Sequence, residues 1–464
     1  MAARASSNAR RVTAGLWLAD VLLMLLAVLA AERLRFLGQP EGLQTFLAAG
    51  AWRPLLLPAL VTLAMACFGL YETHVRHDRW DLFLRLSLSF GFAGIALVVT
   101  YYFVPMLYIG RGILLMSLAI GFVAVLAFRV GAREFWHSDV FKRRVLVLGA
   151  GRNASLINSA MRRKADRRAF SVLGFVALPG QECLVPADQI LGSDNDLRKL
   201  ARRCNAHEIV VAPDERRGGL PMDQMLACAQ MGIQVTDLTS FFEREAGTVR
   251  LGVVDPSWLV FSGGFDNSLP RRLSKRFFDI VAATLLLAVA WPLMLVVALA
   301  IWIEGGGPVL YWQTRVGLGG QTFKLVKFRS MRTDAEKDGV ARWASLDDDR
   351  STRLGKFLRK SRLDELPQLF NVLRGHMSFV GPRPERPQFV DMLNQEIRFY
   401  TVRHSVKPGL TGWAQLRYPY GASVRDAEEK LMFDLFYVKN HGFLFDLMIM
   451  LQTVEVVLFG RGAR

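Results

Sequence analysis

The chain has 464 residues, 58 Lys and Arg against 41 Asp and Glu, and 52% hydrophobic residues. A formal charge of +17 with a mean hydropathy of +0.24 excludes an ordinary one-domain soluble enzyme. It calls for an anionic partner: nucleic acid, anionic lipid or a phosphorylated substrate. The four cysteines (Cys67, Cys183, Cys204, Cys228) form no CxxC pair, which argues against a zinc site or a disulfide framework. No nucleic-acid-binding motif is present, and Arg-rich flanks beside apolar runs favour lipid over nucleic acid.

Residues 1–11 are short and basic, and 12–31 form an apolar run long enough to span a bilayer. No clear small-residue cleavage site follows it, so it reads as a retained span. Asp20 interrupts the run. An intramembrane carboxylate is a functional candidate by default, or else it faces a neighbouring helix or water. Three more spans read at 54–71, 82–104 and 112–130. The connection before the third span is basic (His74, Arg76, His77, Arg79), and so is the region after the fourth (Arg129, Arg133, Lys142, Arg143, Arg144). Only Arg111 lies between spans three and four. Lys/Arg asymmetry therefore places both ends of this four-helix unit, 1–135, in the cytoplasm. Arg33, Arg35 and Arg53, offset by Glu32 and Glu41, pull weakly the other way.

Next comes Arg144-Val-Leu-Val-Leu-Gly-Ala-Gly-Arg-Asn-Ala154. An apolar run, then Gly149-x-Gly151-x-x-Ala154, then a helical pattern matches the opening of a dinucleotide-binding βαβ unit. Further strands read at 170–176, 208–212 and 232–236. The second of the four strands carries no Asp or Glu at its end to hold a ribose. Residues 144–245 therefore read as a Rossmann-type α/β domain with a structural or regulatory role rather than a cofactor site.

Residues 246–269 read as a linker, ending near Gly263, Gly264 and Pro270. The fifth long apolar segment, 277–303, has Pro292 in its middle, and proline breaks the helical hydrogen-bond ladder. Basic residues flank both ends: Arg271, Arg272, Lys275 and Arg276 before, Arg315 and Lys324 after. That symmetry favours a helix that enters and leaves on one face. Beyond Gly305-Gly-Gly-Pro308 the pattern is mixed α/β, and 432–459 shows helical spacing for one or two amphipathic helices. Asp347-Asp-Asp349 reads as a solvated turn rather than a metal site. His376, His404 and His441 lack paired ligand spacing and read as structural.

The chemistry concentrates in 359–384. Asp364 and Glu365 stand between the cations Arg359, Lys360 and Arg362 and an arginine, Arg383, held between Pro382 and Pro384. Carboxylates among cations suit phosphate chemistry. A helix start is the plain alternative, since acidic residues favour the positive end of the dipole. Leu363-Asp-Glu-Leu-Pro-Gln-Leu-Phe-Asn-Val-Leu-Arg-Gly375 and Met377-Ser-Phe-Val-Gly-Pro-Arg-Pro384 resemble the bacterial sugar transferase domain of the monotopic phosphoglycosyl transferases. Lys275-Arg-Phe-Phe-Asp279, Gln313-Thr-Arg-Val-Gly317, Lys327-Phe-Arg-Ser-Met331 and Lys407-Pro-Gly-Leu-Thr-Gly-Trp-Ala-Gln415 follow in the family's order. The resemblance covers roughly residue 273 to the C-terminus.

The resemblance implies transfer of a sugar-1-phosphate from a UDP-sugar to polyprenyl (undecaprenyl) phosphate, releasing UMP, as the first membrane step of exopolysaccharide or glycan assembly. It implies a multi-pass protein of the bacterial inner membrane with its catalytic domain on the cytoplasmic face, and a possible homodimer. It makes Asp364 a nucleophile forming an aspartyl intermediate and Glu365 a ligand for Mg²⁺. Lys327, Arg329, Arg359 and Arg383 become contacts to substrate phosphates or nucleotide, and Arg417 stands near the position of a family arginine. It also implies a re-entrant helix broken at Pro292. Lys275 and Arg276 lie where a lipid phosphate could dock, or else form a basic surface towards lipid. The expected architecture is a transmembrane helical bundle, a Rossmann-like α/β domain and a mixed α/β catalytic domain, 270–464, with the re-entrant helix. Two rivals remain. A membrane-anchored nucleotide-sugar epimerase or dehydratase would need a Tyr-x-x-x-Lys pair, and none of the nine tyrosines has one. A non-catalytic assembly scaffold would not need Asp364, Glu365 and Arg383 together.

Overall fold

The computed structural model describes residues 5–37, 55–71, 79–136, 142–161, 167, 170–191, 196–215, 219–254, 268–333, 335, 350–418, 421 and 423–459. It divides into two compact units, Met1–Ala246 and Gly247–Arg464. Helices α1 (Ala5–Arg35), α2 (Leu56–Cys67), α3 (Arg79–Phe103) and α4 (Arg111–Trp136) open the first unit. Three contain stretches long and apolar enough to cross a membrane: Thr13–Arg35, Arg85–Phe103 and Arg111–Gly131. Helix α2 differs from the expected span. Its 12 residues reach only about 18 Å, against about 30 Å of hydrocarbon. Gly69, at φ +72°, turns the chain out of the helix. Leu70 N–H donates to Met65 O (3.0 Å) and Gly69 N–H to Ala66 O (3.0 Å), a Schellman-type end.

Two buried arginines take carbonyls left over at that end. Arg85 Nη1 donates to Phe68 O (2.8 Å) and Arg129 Nη1 to Leu70 O (2.7 Å). The Arg129 guanidinium pairs with Asp20, which also accepts from Tyr71 Oη (2.9 Å). Asp20 thus neutralises a buried cation that caps a helix; of the two readings of this carboxylate, the structure supplies the neighbouring partner.

The α/β part of this unit contains β1 (Arg143–Leu148), α5 (Arg152–Ala160), β2 (Phe170–Val176), α6 (Leu197–Arg203), β3 (Glu208–Val211), α7 (Met222–Gln230), β4 (Gln234–Asp237) and α8 (Leu238–Ala246). Its four strands are parallel in the order β2-β1-β3-β4. Leu146, Leu148 and Ile209 bury one face against Leu197, Leu200 and Cys228. The glycine turn after β1 has a tenant of its own. Asp214 accepts from Arg152 N–H (2.9 Å) and Asn153 N–H (2.7 Å), at the helix N-terminus where a nucleotide-binding turn would hold phosphate. A Cβ on Gly151 would lie 2.0 Å from Asp214 Oδ2, and one on Gly149 2.3 Å from Ala212 O. Both glycines therefore serve close approach by the chain itself.

The second unit starts with α9 (Leu269–Gly305), a 37-residue helix with Pro292 inside it. It is longer at both ends than the segment read from hydropathy, because Pro270 is tolerated in a first helical turn and Gly306, at φ +64°, ends it. Strands β5 (Leu310–Val316) and β6 (Thr322–Phe328) form an antiparallel hairpin. Then follow α10 (Arg353–Ser361), a 3₁₀ turn at Leu363–Glu365, α11 (Gln368–Arg374), β7 (Ser378–Val380), α12 (Pro387–Glu396), β8 (Gly409–Thr411) and α13 (Trp413–Arg417). Strands β7 and β8 are parallel. Two helices close the unit: α14 (Val424–Asn440), opened by a Ser423–Asp426 capping box, and α15 (Phe443–Phe459).

Both halves of α9 rest on this unit. Before Pro292, Ala283 packs with Leu369 and Val372; after it, Val297 and Ile301 pack with Phe328 and Leu358. Much of the remainder is exposed apolar surface, including Leu285, Val289, Leu295, Val296, Trp302 and Ile303.

Candidate active site

The site forms where β6, the 3₁₀ turn and the loop after β7 meet. Arg362 ends α10 in the left-handed region (φ +61°), an uncommon conformation for a residue with a side chain. That single residue turns the chain from α10 into the 3₁₀ turn, which buries Asp364 and Glu365, 7% and 8% exposed. The following helix is tied to β6 by Asn371. Its Nδ2 donates to Lys324 O (2.8 Å), and its Oδ1 accepts from Val326 N–H (3.1 Å). This amide occupies the edge of β6 and fixes the next residue, Lys327, beside the acidic pair.

Lys327 Nζ donates to Glu365 Oε1 (3.1 Å), and Arg383 Nη2 donates to the same oxygen (2.7 Å). Arg362 Nη1 stands 3.7 Å from it. Asp364, by contrast, makes no hydrogen bond or ion pair among the described residues. The electrostatics divide the two carboxyls. Burial pushes both up, but around Glu365 the charges of Arg383, Lys327 and Arg362 overcome it and hold that carboxyl well below the usual range. For Asp364 burial wins over Lys327, and the Glu365 charge adds to it, so its carboxyl lies above the ordinary value. Two adjacent carboxyls shifted in opposite directions make this a candidate functional site.

Of the cations read from the sequence, Lys327, Arg383 and, at 3.7 Å, Arg362 reach the acidic pair. Five more meet other partners. Lys275 Nζ donates to Asp446 Oδ2 (2.6 Å), Val380 O (3.1 Å) and Tyr437 Oη (3.1 Å). Arg276 donates to Val372 O and Leu373 O, both at 2.6 Å, closing the C-terminal end of α11. These contacts seat the first half of α9 on its own unit. Arg329 Nη2 donates to Gly306 O (2.9 Å) and anchors the other end of α9. Arg359 Nη1 donates to Ser351 Oγ (2.9 Å). The Arg417 guanidinium lies over the Trp413 ring, 4.1 Å from its centroid. Asp347–Asp349 fall outside the described residues. His441 Nδ1 lies 2.9 Å from Val438 O, a structural contact.

Sequence reasoning missed two groups. Arg315 has no site role in the sequence reading, yet its guanidinium meets Pro384 O (3.1 Å). Arg403 was not singled out, yet it meets Arg383 O (3.0 Å). Arg315 lay inside a quoted motif. Arg403 carried no motif, and apart from Tyr400 its partners are 20 and 31 residues away.

Among the described residues no cluster of three or more His, Cys, Asp or Glu could hold a metal. The pair itself still fits Mg²⁺. Glu365 Oε2 accepts no hydrogen bond among the described residues, and this ion commonly takes one or two carboxylates and completes its shell with water and substrate phosphates.

A family model described as bacterial sugar transferase matches residues 270–460. The chain is 42% identical over 237 residues to the UDP-N-acetylgalactosamine-undecaprenyl-phosphate N-acetylgalactosaminephosphotransferase of Aeromonas hydrophila, covering 51% of this chain and 55% of that one. It is 38% identical over 258 residues to the UDP-glucose:undecaprenyl-phosphate glucose-1-phosphate transferase of Caulobacter vibrioides, covering 52% of this chain and 96% of the relative. It is 29% identical over 367 residues to the undecaprenyl-phosphate galactose phosphotransferase of Salmonella typhimurium, 70% of each. The chain thus spans little more than half the length of the first of these relatives.

Proposed function

The chain belongs to the bacterial sugar transferase family, and from that premise we propose that it moves a hexose-1-phosphate or N-acetylhexosamine-1-phosphate from a UDP-sugar to undecaprenyl phosphate. The observation that carries the reading is the contrast within the acidic pair, with Lys327 and Arg383 both on Glu365. Asp364 is buried, unpaired among the described residues and next to cations, which is how a carboxylate nucleophile is kept reactive.

In the first step an oxygen of Asp364 attacks the β-phosphorus of the donor. The bond from that phosphorus to the bridging oxygen breaks, and UMP leaves with the electron pair. In the second, an oxygen of undecaprenyl phosphate attacks the same phosphorus and restores the Asp364 carboxylate. Arg383 and Lys327, already gathered on Glu365 Oε1, stabilise charge on the phosphoryl oxygens and the leaving nucleotide. Glu365 would hold Mg²⁺, which would offset diphosphate charge when bound.

The acceptor's lipid requires a site at the membrane surface, and the packing of α9 supports one. Helix positions on both sides of Pro292 are seated on the same unit, as a re-entrant helix needs and a simple crossing does not. With the basic flanks at both ends, this supports a catalytic unit on the cytoplasmic face of the inner membrane. The parallel four-stranded sheet reads as a Rossmann-type domain kept for structure, since Asp214 fills its anion-binding turn.

The test is UMP release from UDP-glucose, UDP-galactose and UDP-N-acetylgalactosamine, with and without undecaprenyl phosphate. Lipid-dependent turnover of one donor is the expected result. Lipid-independent epimerisation or dehydration of the donor sugar would overturn the reading.

A further inference from the structure

Arg383 is held by the backbone of a segment that can offer few donors. Pro382 and Pro384 have no N–H groups, so the segment is fixed through its carbonyls. Four successive ones each accept a hydrogen bond. Pro382 O accepts from Gly409 N–H (2.9 Å) and Glu385 O from Val316 N–H (2.9 Å). Between them, Arg383 O accepts from Arg403 Nη2 (3.0 Å) and Pro384 O from Arg315 Nη1 (3.1 Å). The outer two bonds are main chain; the inner two come from guanidinium groups.

Both guanidiniums are themselves oriented. Arg403, 6% exposed, donates through Nε and Nη2 to Asp434 Oδ2 (3.1 and 2.8 Å) and through Nη1 to Tyr400 Oη (2.8 Å). Arg315 donates through Nε and Nη2 to Gln313 Oε1 (3.0 and 2.6 Å) and stands 3.6 Å from Glu385. A planar guanidinium can serve two acceptors at fixed angles, which an ammonium cannot reproduce.

We propose that Arg403 and Arg315 are positioning residues that set the backbone of Arg383, and through it the 2.7 Å contact between Arg383 and Glu365. They touch neither the acidic pair nor a reacting atom, and they act on transfer only through Arg383. The proposal rests on the sugar-phosphate transfer reading above.

The test is a double-mutant cycle on the full-length protein in lipid nanodiscs containing undecaprenyl phosphate, read as kcat and KM for UMP release. Arg403→Lys keeps a cation opposite Asp434 but loses bonds to buried partners, so the protein should fold with a lowered thermal midpoint and is assayed well below it. It loses the fork, and displacement of Arg383 should lower kcat/KM by about 100-fold, the scale on which small misplacements act. In an Arg383→Gln background the same change should cost less than about threefold, because positioning a missing group has no further effect. Should Arg403→Lys fail to fold, Arg315→Lys enters the same cycle with the same expectation. Effects that multiply, or an Arg403→Lys enzyme with wild-type kcat/KM, would overturn the positioning role while leaving the transfer reading intact. A wild-type protein that releases UMP from no donor would overturn both.

Discussion

In the α/β domain the Asp214 carboxylate accepts two main-chain hydrogen bonds, from Arg152 and Asn153, whereas in the second unit Asp364 accepts none among the described residues. Asp214 is exposed and could have been left to water, yet it is bonded. Asp364 is 7% exposed, yet it has no hydrogen-bond or ion-pair partner among the described residues. The carboxylate that water could serve is the bonded one, and the largely buried one is left for a partner from outside the described residues. The glycine turn, with the familiar sequence of a nucleotide site, is closed by the chain itself. The acidic pair, open to a plain reading as a helix start, carries the electrostatic asymmetry.

The largest expected effect falls on Asp364. Replacing it by Asn should lower turnover by about 10⁴-fold or more, as loss of a covalent nucleophile does. It should also leave the thermal midpoint unchanged or raised, since the ionised form is the one that burial disfavours. A destabilised Asn variant would break the comparison.

Glu365→Gln should act in the opposite sense on stability. It leaves Arg383 and Lys327 without their shared carboxylate, at a cost of about 2 kcal/mol, less than for a fully buried pair because Arg383 is partly exposed. Activity should fall with it, and Mg²⁺ titration should show a weaker response than wild type.

A pH series sharpens the contrast. The Asp364 carboxyl is raised in the folded protein, so between its ordinary value and the raised one the folded state binds more protons than the unfolded. This group's contribution to stability therefore declines as pH rises through that window. Activity needs the carboxylate and should rise across the same window. Thermal melts and kcat/KM profiles of wild type and Asp364→Asn should differ there, with the variant lacking this contribution to the stability slope.

The smallest effect belongs to Asp214→Ala. It should cost about 1 kcal/mol as a lost helix cap, read by thermal melting, with UMP release unchanged. Wild-type protein should show no NAD binding by calorimetry, because the turn is already filled.

Much of this was legible from local pattern. Strand β2 was read at its observed bounds, and Asp364, Glu365, Lys327 and Arg383 could be named from chemistry and motif. What escaped notice depends on distance along the chain. The Asp214 bonds span 61 and 62 residues, and no composition or periodicity announces them. Lys275 and Arg276 read as a dock for lipid phosphate or a basic surface towards lipid, and neither reading announces the intramolecular partners they have. Their partners lie about a hundred or more residues away, on β7, α11 and α15. The short α2 escaped because hydropathy ignores Gly69, whose positive φ ends the helix before the apolar run ends.

The most direct test of the central claim is a search for the intermediate. Wild-type protein would be given UDP-sugar labelled at the β-phosphorus, without undecaprenyl phosphate, then quenched and digested for mass spectrometry. A sugar-phosphate adduct on the peptide containing Asp364, absent from Asp364→Asn and discharged when undecaprenyl phosphate is added, is the predicted result. No adduct, together with kinetics that require both substrates bound before UMP leaves, would contradict it.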